Sequence, residues 1–169
     1  MKKVVLFLAF GLLLGNVVSA QTALKLGWIN SAELLQAMPE KAKADSDVAK
    51  YARSFQDQID IMMKDYQTKG QDYQAKEKTM TDAMKEVRMK EIQDLQNRIQ
   101  SIQESAQEKL QTKKQDAYSP ILDKADKAIK FVAKEKSYDY IFDQSQGMLL
   151  FGKEGDNILP LVKAHLGIK

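Results

Sequence analysis

The chain has 169 residues, the length of one domain, with 26 basic and 23 acidic side chains and no cysteine. The lack of cysteine excludes disulfides, thiol nucleophiles, thiolate zinc and iron–sulfur sites, and a lipid anchored through cysteine. The formal charge of +3 is small for a dedicated nucleic-acid-binding protein. Because 29% of the residues are charged and glycine and proline are few, the composition predicts long helices rather than a turn-rich β fold.

The N-terminus is typical of a secretory signal peptide. Two lysines precede an apolar run over residues 4–14, and small residues follow it. We therefore expect residues 1–20 to be a signal peptide that is cleaved between Ala20 and Gln21. The alternative is an uncleaved membrane anchor, for which this stretch is marginally short. Removal of the two lysines leaves 24 basic and 23 acidic residues, a formal charge of +1.

Both ends of the mature chain predict short strands and short helices. Apolar residues alternate with others over 24–28 and again over 138–142, which is the period of a strand. The continuously apolar run 148–151 predicts a third strand that is buried on both faces. Three short strands make a poor sheet, so we expect several copies to assemble through a body made of residues 21–38 and 120–169. The residues expected to form this oligomerisation body are Leu24, Leu26, Trp28, Tyr140, Ile141, Phe142, Leu149, Leu150 and Phe151.

The middle of the chain, residues 39–119, predicts a long helical arm. It contains one glycine and no proline after its first residue, and its apolar residues recur in alternating steps of three and four, the period of a coiled coil. The apolar phase resets near residues 79–82, where Thr79 and Asp82 fit a helix-capping pattern, so we expect an antiparallel hairpin with its tip there. Seam positions between the two helices are assigned to Phe55, Ile59, Ile92, Leu95, Ile99 and Ile102.

The junction between arm and body contains a proline with two interpretations. Ser119 and Pro120 are either the cap and first turn of a third helix, which would end near Lys136, or a kink in a continuing helix. A last helix is expected from Asp156 or Asn157 to Leu166. The predicted class is therefore α+β and mainly helical, with a small strand-containing body and a long helical hairpin.

Two stretches of the chain carry a resemblance to a known family. The first comprises KLGWINS at 25–31 and LLQAMPE at 34–40. The second and more specific one runs from PILDKADKAIK at 120–130 into VAKEKSYDYIFD at 132–143. Together with the charged, glutamine-rich arm, these stretches resemble the Skp/OmpH family of periplasmic chaperones over essentially the whole mature chain.

The resemblance implies a homotrimer whose three helical arms enclose a cavity. It implies a periplasmic, ATP-independent holdase that keeps unfolded outer-membrane proteins from aggregating, with transient contact with the membrane surface as a further expectation. No enzymatic activity, cofactor, metal or nucleic acid is expected. One departure is that the mature chain is near neutral, whereas well-known relatives are strongly basic. The alternative function is that of a structural periplasmic coiled-coil spacer or adaptor.

A holdase needs flexible apolar side chains that adapt to many partners, and methionine is suited to this role. We therefore expect the distal arm to contact clients, although each of these residues could instead belong to the helix seam. Gly70 is either a bending point or a tolerated surface glycine. A stripe of glutamines between Gln93 and Gln111 is either a client-tolerant wall or a solvated face. The client-binding candidates are Met62, Met63, Tyr66, Tyr73, Met80, Met84 and Val87.

The polar residues that could suggest catalysis have simpler explanations. His165 lies near the end of the last predicted helix, where a surface role is favoured. Asp123 and Asp126 alternate with Lys124 and Lys127, which indicates surface ion pairs. Nothing in the sequence predicts a phosphate-binding loop.

Overall fold

A computed structural model describes residues 24–168 of the protein. The predicted signal peptide, residues 1–20, and its cleavage site between Ala20 and Gln21 lie outside the described residues. The mainly helical α+β class predicted from the sequence is confirmed. In chain order the elements are β1 (Leu26–Ile29), α1 (Ser31–Ala37), α2 (Pro39–Lys76), a 3₁₀ turn (Glu77–Thr79), α3 (Asp82–Glu135), β2 (Tyr140–Asp143), a 3₁₀ turn (Glu154–Asp156) and α4 (Leu159–His165).

Helices α2 and α3 form an antiparallel hairpin. Pro39 starts α2, where its missing N–H is not needed, and the 38 residues of α2 span about 57 Å at 1.5 Å per residue. Met63 lies beside Ile99 and Tyr73 beside Ile92, so numbering rises along one helix while it falls along the other. Each helix buries only a narrow stripe against its partner, because most side chains of both are exposed.

The hairpin reverses through the 3₁₀ turn at Glu77–Thr79. The residue that caps α3 is Thr81, whose hydroxyl accepts a hydrogen bond from the Met84 N–H at 3.3 Å. The sequence-based assignment of Thr79 as the cap is therefore wrong by two residues. Thr79 is used by the preceding turn, where its hydroxyl donates to the Lys76 carbonyl at 2.8 Å.

The helix continues through Pro120, so the alternative of a continuing helix is the correct one and no third helix begins there. Pro120 has no N–H, and the carbonyl of Asp116 therefore lacks its usual helical partner. Beyond this point α3 leaves the seam of the hairpin and enters the body. Four of its residues there are buried: Ile121, Ala125, Ala128 and Val132.

The body is built on a two-stranded parallel sheet. Leu26 pairs with Tyr140 and Trp28 with Phe142. Both strands are displaced from their predicted positions, since Leu24 precedes β1 and Tyr138 precedes β2. The inward face of β1 carries Gly27 and Ile29. The hydrophobic core beneath the sheet contains Ile29, Leu34, Met38, Ala44, Ile121, Ala125, Ala128, Val132, Ile158, Leu159 and Val162.

The prediction of a third strand at 148–151, buried on both faces, is wrong for the described chain. This segment has no strand pairing, and Met148, Leu150 and Phe151 expose 84%, 93% and 80% of their surface. An apolar segment is buried on both faces only if another strand or layer covers it, and residues 24–168 supply none. The last helix also begins later than predicted, at Leu159. The Asn157 side chain precedes it and accepts a hydrogen bond from the Leu159 N–H.

The chain after this segment is fixed by the tryptophan of β1. The Trp28 indole N–H donates to the Lys153 carbonyl at 2.9 Å. Gly152 lies against the same ring, where a Cβ would be 2.5 Å from the indole nitrogen. Only glycine allows this close approach without a shift of the ring.

Candidate functional site

The outer face of the sheet is apolar and largely uncovered, except at Trp28, where Gly152 lies against the ring. Side chains of alternate residues share one face of a strand, so Leu26 and Trp28 lie beside Tyr140 and Phe142 on the face opposite the core. Leu26, Tyr140 and Phe142 expose 46%, 58% and 47% of their surface. Parallel sheets are ordinarily covered on both faces, so this face is a candidate contact surface.

The predicted body residues divide between this face and the core. Ile141 points inward and packs against the core cluster. Leu24 is exposed beside the start of β1, Leu150 and Phe151 are exposed in the loop after β2, and Leu149 is half-buried.

A hydrogen-bonded carboxylate holds the end of β2 against the start of α1. The Asp143 carboxylate accepts bonds from the Ser31 hydroxyl at 2.5 Å and from the Ser31 N–H at 3.1 Å. It also accepts bonds from the hydroxyl and the N–H of Ser145, both at 2.9 Å. Burial raises the pKa of Asp143, but these bonds outweigh it and hold the pKa below its ordinary value.

Two cross-helix contacts hold the base of the hairpin. The Tyr118 hydroxyl donates to the Asp45 carboxylate at 2.7 Å, and the Lys41 ammonium reaches the other carboxylate oxygen at 2.7 Å. The hydrogen bond from Lys41, followed by that from Tyr118, lowers the pKa of Asp45. Lys124 pairs with Glu40, and this bond lowers the pKa of the Glu40 carboxyl. These contacts join the arm to the body on the side where α2 begins.

The six predicted seam residues are all at least half-buried. Leu95 and Ile99 are the most buried, with 8% and 6% of their surface exposed. The other four are half-buried: Phe55, Ile59, Ile92 and Ile102.

The client-binding candidates fall into two groups. Met63, Met84 and Val87 are exposed over 38%, 52% and 57% of their surface. The remaining four occupy half-buried positions that continue the seam toward the tip: Met62, Tyr66, Tyr73 and Met80. Only the first group offers a substantial exposed surface to a partner while the hairpin stays closed.

Two grooves flank the seam, and their chemistry differs. The neutral groove has a volume of about 370 Å³ and is lined by Met63, Tyr66, Gln96, Ile99, Gln100 and Gln103, none of them charged. The charged groove has a volume of about 210 Å³ and is lined by Asp65, Thr68, Lys69, Asp72, Tyr73, Met80, Arg88, Glu91 and Ile92.

Sequence reasoning missed Ile61, an exposed apolar side chain of the arm, and counted the exposed Met89 only among the distal methionines expected to contact clients. Ile61 and Met89 expose 70% and 58% of their surface. Both residues lie outside the heptad pattern. Ile61 begins a run of three consecutive apolar residues, 61–63, and one helix face cannot hold all three, so this run could have indicated that one of them is exposed. Gly70 lies inside continuous helix, and a Cβ there would have no neighbour within 4 Å.

The polar residues outside these surfaces form surface contacts. His165 is exposed and its ring stacks on Phe131, with centroids 4.2 Å apart. Asp123 pairs with Lys127 at 2.6 Å, and Asp126 pairs with Lys130 at 2.7 Å. Within residues 24–168 no helix is long and apolar enough to span a membrane, and no group of three or more metal-binding side chains occurs.

This combination of a small α/β body and a long helical hairpin defines a known class of fold. The model of the outer membrane protein (OmpH-like) family matches residues 25–166. The chaperone protein Skp of Photorhabdus laumondii subsp. laumondii is 24% identical over 158 residues, which cover 94% of each chain. The crystal structure of an OmpH-like protein from Caulobacter crescentus CB15 has a TM-score of 0.75 at 14% identity, covering 87% of this chain and 86% of the other.

The chain therefore belongs to the OmpH-like family, and the predicted Skp/OmpH resemblance is confirmed. The family model covers both stretches on which the resemblance rested, and it extends across the hairpin between them. The structural similarity agrees with this, because it covers the arm and the body together.

Proposed function

We propose that the protein is a chaperone for outer-membrane proteins that acts as an ATP-independent holdase. The observation that carries this proposal is the exposure of Met63, Met84 and Val87 on an arm whose seam is filled by other residues. These side chains are not needed to hold the two helices together, and they are adaptable in shape or apolar enough to contact unfolded chains. Family membership and the Skp relative support the same function.

Weak contacts at several places suit a holdase better than one tight pocket. Each exposed side chain on the arm offers only part of its surface, so each contributes a small part of the binding free energy. A client held by several such contacts can release them one at a time. No nucleotide is required for this kind of release.

Assembly into a homotrimer is the second part of the proposal. The outer face of the sheet and the exposed loop over 148–151 together form a large apolar surface at one end of the chain. Exposed apolar surfaces of this kind favour contact between protein chains. Three bodies joined there would bring three arms together around a cavity, as the family resemblance implies.

The periplasm is the proposed location. Outer-membrane proteins cross it before they insert, and residues 1–20 have the pattern of a secretory signal peptide. N-terminal sequencing of the exported protein should begin at Gln21. A sequence that began with Met-Lys-Lys would contradict cleavage.

The direct test dilutes an unfolded outer-membrane β-barrel protein from denaturant into buffer with and without residues 21–169. We expect light scattering from aggregates to fall as the protein is added, without nucleotide, and the protein alone to have the mass of three chains. Unchanged aggregation would contradict the holdase and favour a spacer or adaptor. A mass of one or two chains would contradict the trimer but not the binding.

A further inference from the structure

We propose that the neutral groove of the arm binds client segments in extended conformation and hydrogen-bonds to their backbone. This inference rests on the proposed holdase function and names the part of a client that the arm recognises. The groove belongs to a stripe of glutamines on α3: Gln93, Gln96, Gln100, Gln103, Gln107 and Gln111.

The stripe lies on one side of the hairpin. Each glutamine follows a seam position by one residue, as Gln96 follows Leu95 and Gln100 follows Ile99. One residue is a rotation of about 100° around a helix, so these side chains share one flank of the seam. On α2 the same flank carries Met63, which directly follows the seam residue Met62 and lines the groove with them.

The opposite flank of the seam carries charged side chains, and these already pair with one another. The acidic residues of the charged groove precede seam positions, as Asp72 precedes Tyr73. Asp72 pairs with Lys76 at 2.8 Å, and Arg88 pairs with Glu91 at 2.8 Å. These charges satisfy one another within the chain, and a neutral client backbone would have to displace them.

The amides of the neutral groove have capacity left for a partner. Gln100 donates to Glu104 at 3.0 Å, whereas Gln96 and Gln103 make no side-chain hydrogen bond to any described residue. A glutamine amide supplies both donors and an acceptor, the same set that a peptide backbone needs. The floor formed by Met63, Tyr66 and Ile99 gives an apolar surface beside these amides.

The whole glutamine stripe, of which the neutral groove is the part between Gln96 and Gln103, is nearly as long as an outer-membrane strand. Gln93 and Gln111 are 18 residues apart, about 27 Å along a helix. An extended chain of about eight residues covers that length at about 3.3 Å per residue. A membrane-spanning β-strand has about 9–11 residues and alternates apolar with polar side chains, so it can face the apolar floor while its backbone and polar side meet the amides.

The test compares two charge-bearing triple variants of residues 21–169. The groove variant combines Gln96→Glu, Gln100→Glu and Gln103→Glu, which remove the amide donors and place charge beside the apolar floor. The control variant combines Gln58→Glu, Gln71→Glu and Gln115→Glu, which add the same charge to the arm at exposed positions outside the stripe, two on α2 and one on α3.

Binding is measured with two peptides of ten residues that alternate apolar and uncharged polar side chains. One has an ordinary backbone, and the other carries N-methyl groups at alternate residues, which remove the donors along one edge. We expect the ordinary peptide to bind the unmodified protein roughly tenfold more tightly than the methylated one, since a few net hydrogen bonds are lost. The groove variant should bind it roughly tenfold more weakly, and the control variant should bind it unchanged.

Besides unchanged peptide binding by the groove variant, three outcomes would overturn the inference. Equal affinity for the two peptides would exclude backbone recognition. An equal loss in both variants would attribute the effect to net charge. A change in the mass of the groove variant alone, measured by light scattering at matched concentration, would make the groove an interface between copies of the chain.

Failure of this inference is distinguishable from failure of the holdase function. If the unmodified protein suppresses aggregation of an outer-membrane protein while the groove variant still binds the peptide normally, only the groove assignment fails. If the unmodified protein does not suppress aggregation, the holdase function fails, and the peptide measurement still decides whether the groove binds extended chains.

Discussion

Client contact and hairpin stability should be separable by mutation, because they depend on different side chains of the arm. The contact variant replaces Met63, Met84 and Val87 with serine. The stability variant is Leu95→Ala alone. If the assignments are correct, the contact variant loses protection of clients at temperatures where it is still folded, whereas the stability variant keeps protection although its melting temperature falls.

The expected losses of stability follow from how much of each side chain is buried. Leu95 exposes 8% of its surface, and truncation of a buried leucine costs about 2–5 kcal/mol. Solvent lies on both sides of a two-helix seam, so we expect the lower part of that range, about 2–3 kcal/mol. For a chain of this length each kcal/mol shifts the melting temperature by about 2–4 °C, so Leu95→Ala should lower it by about 4–12 °C.

Each of the three exposed side chains has less to lose in the folded protein than Leu95 has. Met84 exposes 52% of its surface, so about half of the ~1.5–3 kcal/mol of full burial is at stake, about 1 kcal/mol. The three substitutions together therefore cost up to about 3 kcal/mol, similar to Leu95→Ala, so protection below the melting temperature is what separates the two variants. In client binding, about 0.5 kcal/mol from each of the three side chains would raise the concentration needed for half-maximal protection by roughly tenfold.

The assay pairs two measurements on each variant. Thermal unfolding followed by far-ultraviolet circular dichroism gives stability, and light scattering of a diluted β-barrel protein gives protection below the melting temperature of both variants. A contact variant that protects as well as the unmodified protein would refute the assignment of Met63, Met84 and Val87. So would a Leu95→Ala variant that loses protection while its melting temperature is unchanged.

Four further predictions concern the body and the proposed hinge. Gly27→Ala should destabilise the protein by about 1–3 kcal/mol, because its Cβ would lie 2.8 Å from the Tyr138 ring. Gly70→Ala should stabilise the protein by about 1 kcal/mol in thermal unfolding. An unchanged capacity of this variant for large clients would exclude a hinge at Gly70. The lowered pKa of Asp143 stabilises the protein above the unfolded pKa of about 3.9, and this stability is lost as pH falls through the lower folded pKa. Asp143→Asn should therefore lower the melting temperature at pH 7 and reduce the further fall in melting temperature below pH 4. Leu150→Ser combined with Phe151→Ser should reduce the mass measured by light scattering from three chains to one; an unchanged mass would exclude this loop from the assembly.

The arm could be predicted in detail because its determinants are local. A heptad period and the near-absence of helix breakers are visible in consecutive residues, and they assigned Leu95 and Ile99 to positions that are buried. The prediction of the tip was less accurate, because the choice between Thr79 and Thr81 as the helix cap depends on whether a 3₁₀ turn lies between the two helices.

The body could be predicted only in outline because its determinants are distant in sequence. Alternation in β1 identifies two faces but does not say that Ile29 rather than Leu26 faces the core. The contact between Ser31 and Asp143 joins residues 112 positions apart, and no local pattern indicates it. The segment over 148–151 was assigned to a buried strand on its apolar composition, but burial requires a covering layer that residues 24–168 do not contain.

The narrow buried stripe between its two helices limits the stability of the arm and also makes the arm suitable for clients. A hairpin of two helices can bury one narrow stripe of each, so any apolar residue beside that stripe stays exposed, as Met63 and Val87 do. A wider core would hide these side chains and stiffen the arm. The arm therefore depends on its base, where Tyr118 and Lys124 of α3 bind Asp45 and Glu40 of α2 and where α3 continues into the core of the body. Anchoring at the base permits the distal arm to leave apolar surface uncovered without loss of the fold.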